Sequence, residues 1–77
     1  MSETLIDAQF QKGPIPVLRV ARVLRGMQPG EKLRVLFTDP GSVQEFREFC
    51  KMNGHALIAA SESKGVYSFS LKCGGVS

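Results

Sequence analysis

Apolar residues recur along this chain with two different periods, and the switches between them mark six elements. Residues 4–10 (TLIDAQF) read as a short strand, with Ile6, Ala8 and Phe10 on one face. Gly13-Pro14-Ile15-Pro16 punctuates it. The spacing then becomes helical over 15–27. Val17, Val20, Ala21, Leu24 and Met27 share one face, and Arg19, Arg22 and Arg25 share the opposite one. The prolines are compatible with this start, because N–H groups in a first helical turn have no intrahelical partner. Gln28-Pro29-Gly30 stops the helix. Residues 31–38 alternate, with Leu33, Val35 and Phe37 to one side. Lys32, Arg34 and Thr38 point to the other, with Leu36 among them. Asp39-Pro40-Gly41-Ser42 opens a second helix with two competing caps, Asp39 followed by Pro40, or a Ser42/Glu45 capping box. Val43, Phe46, Phe49 and Cys50 form its apolar stripe, and Gly54 suits a left-handed helix end. Residues 56–61 and 66–72 read as two strands joined by a turn ending in Gly65, with Tyr67, Phe69 and Leu71 on one face.

The order β-α-β-α-β-β constrains the architecture. Each helix has a single apolar stripe, and a strand-helix-strand crossover is right-handed with parallel strands. The expected fold is an α/β (α+β) two-layer sandwich, a four-stranded mixed sheet with both helices on one face. The other sheet face stays open or becomes an interface. With 77 residues, no repeat and no linker, the chain reads as one domain over 1–77. The glycine-rich tail 73–77 is expected to be mobile.

Composition narrows the class. A 43% hydrophobic fraction with 22% charged residues is incompatible with disorder. Apolar runs fall far short of the roughly 20 residues of a membrane helix, so no membrane partner is expected. The start Met1-Ser2-Glu3-Thr4 shows no basic, apolar secretory signal. Cys50 and Cys73 are too few for a disulfide scaffold and too scattered for a zinc site. A reduced, cytoplasmic protein without metal or cofactor is the expectation. The net charge of +3 is uneven: residues 12–34 carry six basic residues and one acid, a local +5. Such a patch suits an acidic protein surface, an anion or nucleic acid; it also suits a solvated helix face.

Several segments carry a family likeness. Asp7-Ala8 with Pro14-Ile15-Pro16-Val17-Leu18, Met27-Gln28-Pro29-Gly30-Glu31, Thr38-Asp39-Pro40-Gly41, and Phe49-Cys50-Lys51-Met52-Asn53-Gly54-His55-Ala56-Leu57 together resemble the TusA/SirA family of small sulfur-relay proteins. The likeness runs from about residue 5 to residue 72. It implies the same two-layer fold. For typical members it also implies carriage of a persulfide sulfur, taken from a cysteine desulfurase or rhodanese-like donor and passed to an acceptor. The family motif is D-x-x-G-x-x-C-P-x-P. A cysteine just before a helix sees unpaired N–H groups and the positive end of the helix dipole, which favour the thiolate that attacks sulfane sulfur.

This chain departs from the motif at its centre. Gly13 stands where the family has cysteine, and Phe10 where it has glycine. A hydrogen cannot hold a persulfide, so that step is unavailable at position 13. Because Phe10 and Gln11 also depart, natural divergence explains Gly13 better than a single engineered change. Cys73 is a weak candidate for a substitute thiol, and Cys50 reads as core. Asp7 reads as a brace for the following loop, and His55 as a structural residue at a helix–strand corner. The candidate binding set is Lys12, Gly13, Pro14, Pro16, Arg19 and Arg22. The N–H groups of Gly13, Ile15 and Val17 form a possible anion site at the helix start.

Three functions compete. The first is a TusA-like interaction or regulatory module that binds a sulfurtransferase, a cysteine desulfurase or a related sulfur-pathway protein. The second is an active sulfur carrier through Cys73 or Cys50. The third is an RNA-binding module, since the layout also resembles the C-terminal domain of bacterial translation initiation factor three. An ordinary enzyme is disfavoured for want of a base–nucleophile pair or phosphate loop; any activity would be that of a sulfurtransferase.

Overall fold

The alternating run around residue 35 becomes the centre of the sheet. The computed structural model describes residues 3–74. It contains β1 (Thr4–Ala8), α1 (Ile15–Leu24), β2 (Lys32–Phe37), α2 (Gly41–Asn53), β3 (Ala56–Ser63) and β4 (Val66–Lys72). The sheet order is β1-β2-β4-β3. β1 runs parallel to β2, as a helical crossover requires, and β4 is antiparallel to both of its neighbours. Both helices cover one face of this mixed sheet. Among the described residues no helix is long and apolar enough to cross a membrane.

The core sits where the stripes meet. Leu33, Val35 and Phe37 are fully buried, and Leu71, Phe69 and Tyr67 lie opposite them in register on β4. Val20 and Leu24 of α1 and Phe46 and Cys50 of α2 close the same cluster. Phe37 is its hub, with ring centroids 4.9 Å from Phe46, 4.9 Å from Phe69 and 5.1 Å from Tyr67. Each fully buried phenylalanine stabilises the fold by about 2–3 kcal/mol over an exposed one.

Element ends differ from the pattern for local reasons. β1 stops at Ala8, not at residue 10. Asp7 Oδ1 accepts the Gln9 N–H at 3.1 Å, and Phe10 turns left-handed at φ 67°. Phe10 therefore leaves the face it was expected to share with Ile6 and Ala8. α1 ends at Leu24, short of residue 27. Its last turn tightens: Gly26 N–H donates to Val23 O and Met27 N–H to Leu24 O. The Ser42/Glu45 capping box does not form. Pro40 occupies the N-cap position, and Asp39, one residue further out, accepts the Gly41 N–H on Oδ1. Gly54 ends α2 at φ 74°, as expected. Lys64 (φ 53°) and Gly65 (φ 82°) make the tight hairpin turn that lets β3 run to Ser63.

The first two residues of the expected tail are held against the fold. Cys73 is buried. Its N–H donates to Glu31 O at 2.8 Å, and its carbonyl accepts the Gly30 N–H at 2.9 Å. Gly74 N–H donates to His55 Nδ1 at 2.9 Å, and the His55 ring stacks on Phe49. A Cβ at Gly74 would collide with the Gly54 carbonyl, so only glycine passes here. The rest of the predicted tail, 75–77, lies outside the described residues.

Candidate functional site

The motif residues gather at the C-terminal ends of the two parallel strands, where the β1–α1 and β2–α2 loops face each other. That location follows from the crossover, since successive parallel strands bring their following loops to the same edge. Asp39 joins the two loops. Its Oδ2 accepts the Gly13 N–H at 3.1 Å while its Oδ1 holds Gly41 at 3.1 Å. A second bridge lies beside it, from the Phe10 N–H to Thr38 Oγ1 at 2.8 Å. Asp7 braces the first loop through Gln9, as its sequence position suggested. The loop then enters α1 through Pro14 at the N-cap and Pro16 in the first turn.

Gly13 is exposed and left-handed, at φ 63°, and a Cβ there would meet nothing within 4 Å. The seat has room for a side chain, but its backbone conformation costs about 1–2 kcal/mol for any L-residue. Phe10 holds a comparable conformation without glycine's freedom, and its side chain is 84% exposed.

The expected binding set divides. Lys12, Gly13 and Pro14 are exposed on the loop, and Arg22 is exposed on α1. Pro16 is fully buried and presents no contact surface. Arg19 is committed to its own chain, donating from Nη1 to Asp7 O and to Gln11 Oε1, each at 2.8 Å. It fastens the loop to α1 instead of reaching outward. Two of the three N–H groups expected to form an anion site at the helix start are occupied within the chain: Gly13 N–H by Asp39 and Ile15 N–H by Lys12 O at 3.4 Å. The Asp39 carboxylate would also repel an anion there.

Neither cysteine reaches this edge. Cys50 is buried in the last turns of α2, and burial pushes its thiol above the ordinary 9.0, away from the reactive thiolate. Cys73 sits beyond the opposite end of β2, about 20 Å away at roughly 3.3 Å per strand residue. Its Sγ lies 4.0 Å from Leu24 O, the last residue of α1, and 3.8 Å from Met27 O in the turn that follows. Tyr67 and Phe69 point into the core, so the sheet offers no aromatic platform for RNA bases.

Sequence reasoning missed two things. It assigned Asp39 to capping alone, although Thr38-Asp39 serves both loops. It also placed Phe10 in a strand. The signal for the latter was the motif itself, which has glycine at that position.

A small two-layer domain whose two parallel-strand loops are bridged into one exposed edge defines the class: a TusA/SirA-type fold. The sequence profile described as "Sulfurtransferase TusA" matches residues 4–72. The chain belongs to the TusA family. It is 46% identical, over 87% of its length and 89% of the relative's, to a Neisseria meningitidis serogroup A protein with a provisional sulfur-carrier name. It is 39% identical to the sulfur carrier protein TusA of Allochromatium vinosum, covering 87% of this chain and 88% of that one. Among solved structures, the SirA-like protein of Desulfitobacterium hafniense superposes with a TM-score of 0.81 at 26% identity, covering 92% of this chain and 97% of that one.

Proposed function

We propose that this chain is a TusA-family docking module of sulfur metabolism that does not carry persulfide. It binds a sulfurtransferase, a cysteine desulfurase or a related sulfur-pathway protein through its β1–α1 edge. The observation that carries the reading is Gly13 at the cysteine position of an otherwise assembled edge. The fold, the two prolines, the Asp39 bridge and the basic helix are all present, while the nucleophile and the motif glycine are replaced. Occupying a partner's sulfur-delivery site without accepting sulfur would regulate delivery. The burial of Cys50 and Cys73 argues against transfer of the carrier role to either thiol. Both stay reduced in the cytoplasm, where the reading places the protein.

Titration calorimetry of the purified chain against a cysteine desulfurase and a sulfurtransferase of the same organism tests this. Binding to at least one, weakened by added salt because the surface is basic, is the expected result. Absence of binding to both at low salt would refute it.

A further inference from the structure

We propose that Phe10 is the anchor of the docking edge. It enters an apolar pocket on an acidic protein partner, Ile15 and Leu18 widen the contact, and Lys12 and Arg22 meet carboxylates at the pocket rim. This rests on the docking reading above and deepens it by giving the partner's surface a chemistry.

Three observations carry the assignment. First, Phe10 is unfavourable twice in the isolated chain. It holds a left-handed backbone that a bulky L-residue adopts at a cost, and it leaves a phenyl ring 84% exposed. The conformation is held in place by the Thr38 hydroxyl on the neighbouring loop. A residue whose backbone is held in place while its ring gains almost nothing inside its own fold is positioned for an external contact. Aromatic anchors of this kind dominate interface energetics.

Second, Phe10 is not an isolated apolar spot. Of the six large hydrophobics exposed among the described residues, Phe10, Ile15 and Leu18 all belong to the β1–α1 loop and the start of α1. Two hollows flank the loop. One, of about 330 Å³, is lined by Ile15, Leu18 and Arg22; the other, of about 240 Å³, by Phe10, Lys12 and Pro40. A polar seam joins them, because Gln11 of the second hollow accepts a hydrogen bond from Arg19 of the first. The edge therefore offers two apolar spots, Phe10 on one side of that seam and Ile15 with Leu18 on the other.

Third, the fringe selects the occupant. Lys12 and Arg22 form no ion pair among the described residues, where the one salt bridge joins Arg34 to Glu3, while Asp39, the carboxylate lining the Phe10 hollow, is turned to the Gly13 and Gly41 N–H groups. A second copy of this chain would bring like charges together across the same edge. An acidic rim complements them and excludes the wrong partners.

The test uses the full chain and its Phe10→Gly variant, each titrated against the purified cysteine desulfurase or sulfurtransferase that binds the wild type. Thermal unfolding of both proteins is recorded alongside. Glycine relieves the backbone cost while removing the ring. The proposal predicts opposite signs: a melting temperature higher by roughly 5 °C and binding weaker by roughly 30-fold. Unchanged binding in a variant of equal or greater stability would overturn the anchor while leaving the docking reading standing. Weaker binding with a lower melting temperature would make Phe10 a structural residue and overturn it too. A wild type that binds neither protein refutes the docking reading and the anchor with it. A dimer in solution that Phe10→Gly dissociates would replace the acidic partner by a second copy, and so contradict the proposal.

Discussion

At position 13 the lost thiol and the local backbone are coupled. Gly13 holds φ 63° with its N–H on Asp39 and open space where a side chain would project. Gly13→Cys therefore meets no steric wall but does meet the left-handed penalty, so it should lower folding stability by about 1 kcal/mol. Denaturant unfolding measures that cost. The same variant should gain one sulfur atom when incubated with a cysteine desulfurase and cysteine, because it restores the nucleophile in its family position. A Gly13→Cys protein that is folded yet stays unloaded would show that the docking edge no longer meets the donor. At the neighbouring position, Phe10 carries a similar conformation without glycine's permission, so the loop's two departures from the motif have opposite effects. One relieves backbone strain and deletes chemistry; the other adds strain and an exposed ring.

At the scale of elements, loop-to-loop hydrogen bonds decide the shape of the edge. Asp39 satisfies the Gly13 N–H in the first loop and the Gly41 N–H at the start of α2, so Asp39→Ala should free both the first turn of α2 and the Gly13 segment. The expected loss is about 1–2 kcal/mol in denaturant unfolding. Faster amide exchange should appear at Gly13 and Gly41 together. Protection retained at Gly13 would show that the loop is held by other contacts.

The same scale explains what was readable beforehand. Strands β2 and β4 and the two helical stripes were visible, because their periodicity comes from burial on one face, and burial leaves an imprint on every second or every third and fourth residue. The ends of β1 and α1 were not. A side chain bonding its own neighbouring backbone, as Asp7 does with Gln9, stops a strand without changing the hydrophobic pattern. The candidate edge was readable as a motif but not as a set of free groups. Arg19 looks like any exposed cation on the helical face until the fold brings Asp7 O and Gln11 within reach. Cys73 likewise reads as the start of a glycine-rich tail. Its burial against the last residue of α1 and the turn that follows depends on contacts with residues more than 40 positions away.

For the whole molecule, the separation of thiols from docking edge matters most. The sheet lies between them: the bridged loops are at one end of β2 and Cys73 is beyond the other, while Cys50 faces the core from α2. The basic segment 12–34, at net +5, would supply the proposed docking edge with long-range attraction for acidic surfaces without supplying chemistry. On the proposed reading, a protein in this arrangement keeps the docking edge and lacks the means to hold the cargo. The direct measurement is the intact mass of the wild-type chain after incubation with a cysteine desulfurase and cysteine, with sites mapped by peptide mass after alkylation of free thiols. The predicted result is an unchanged mass, with Cys50 and Cys73 both recovered as thiols. A gain of one sulfur on either cysteine, at a rate dependent on the desulfurase, would contradict it and make this chain a carrier by another route.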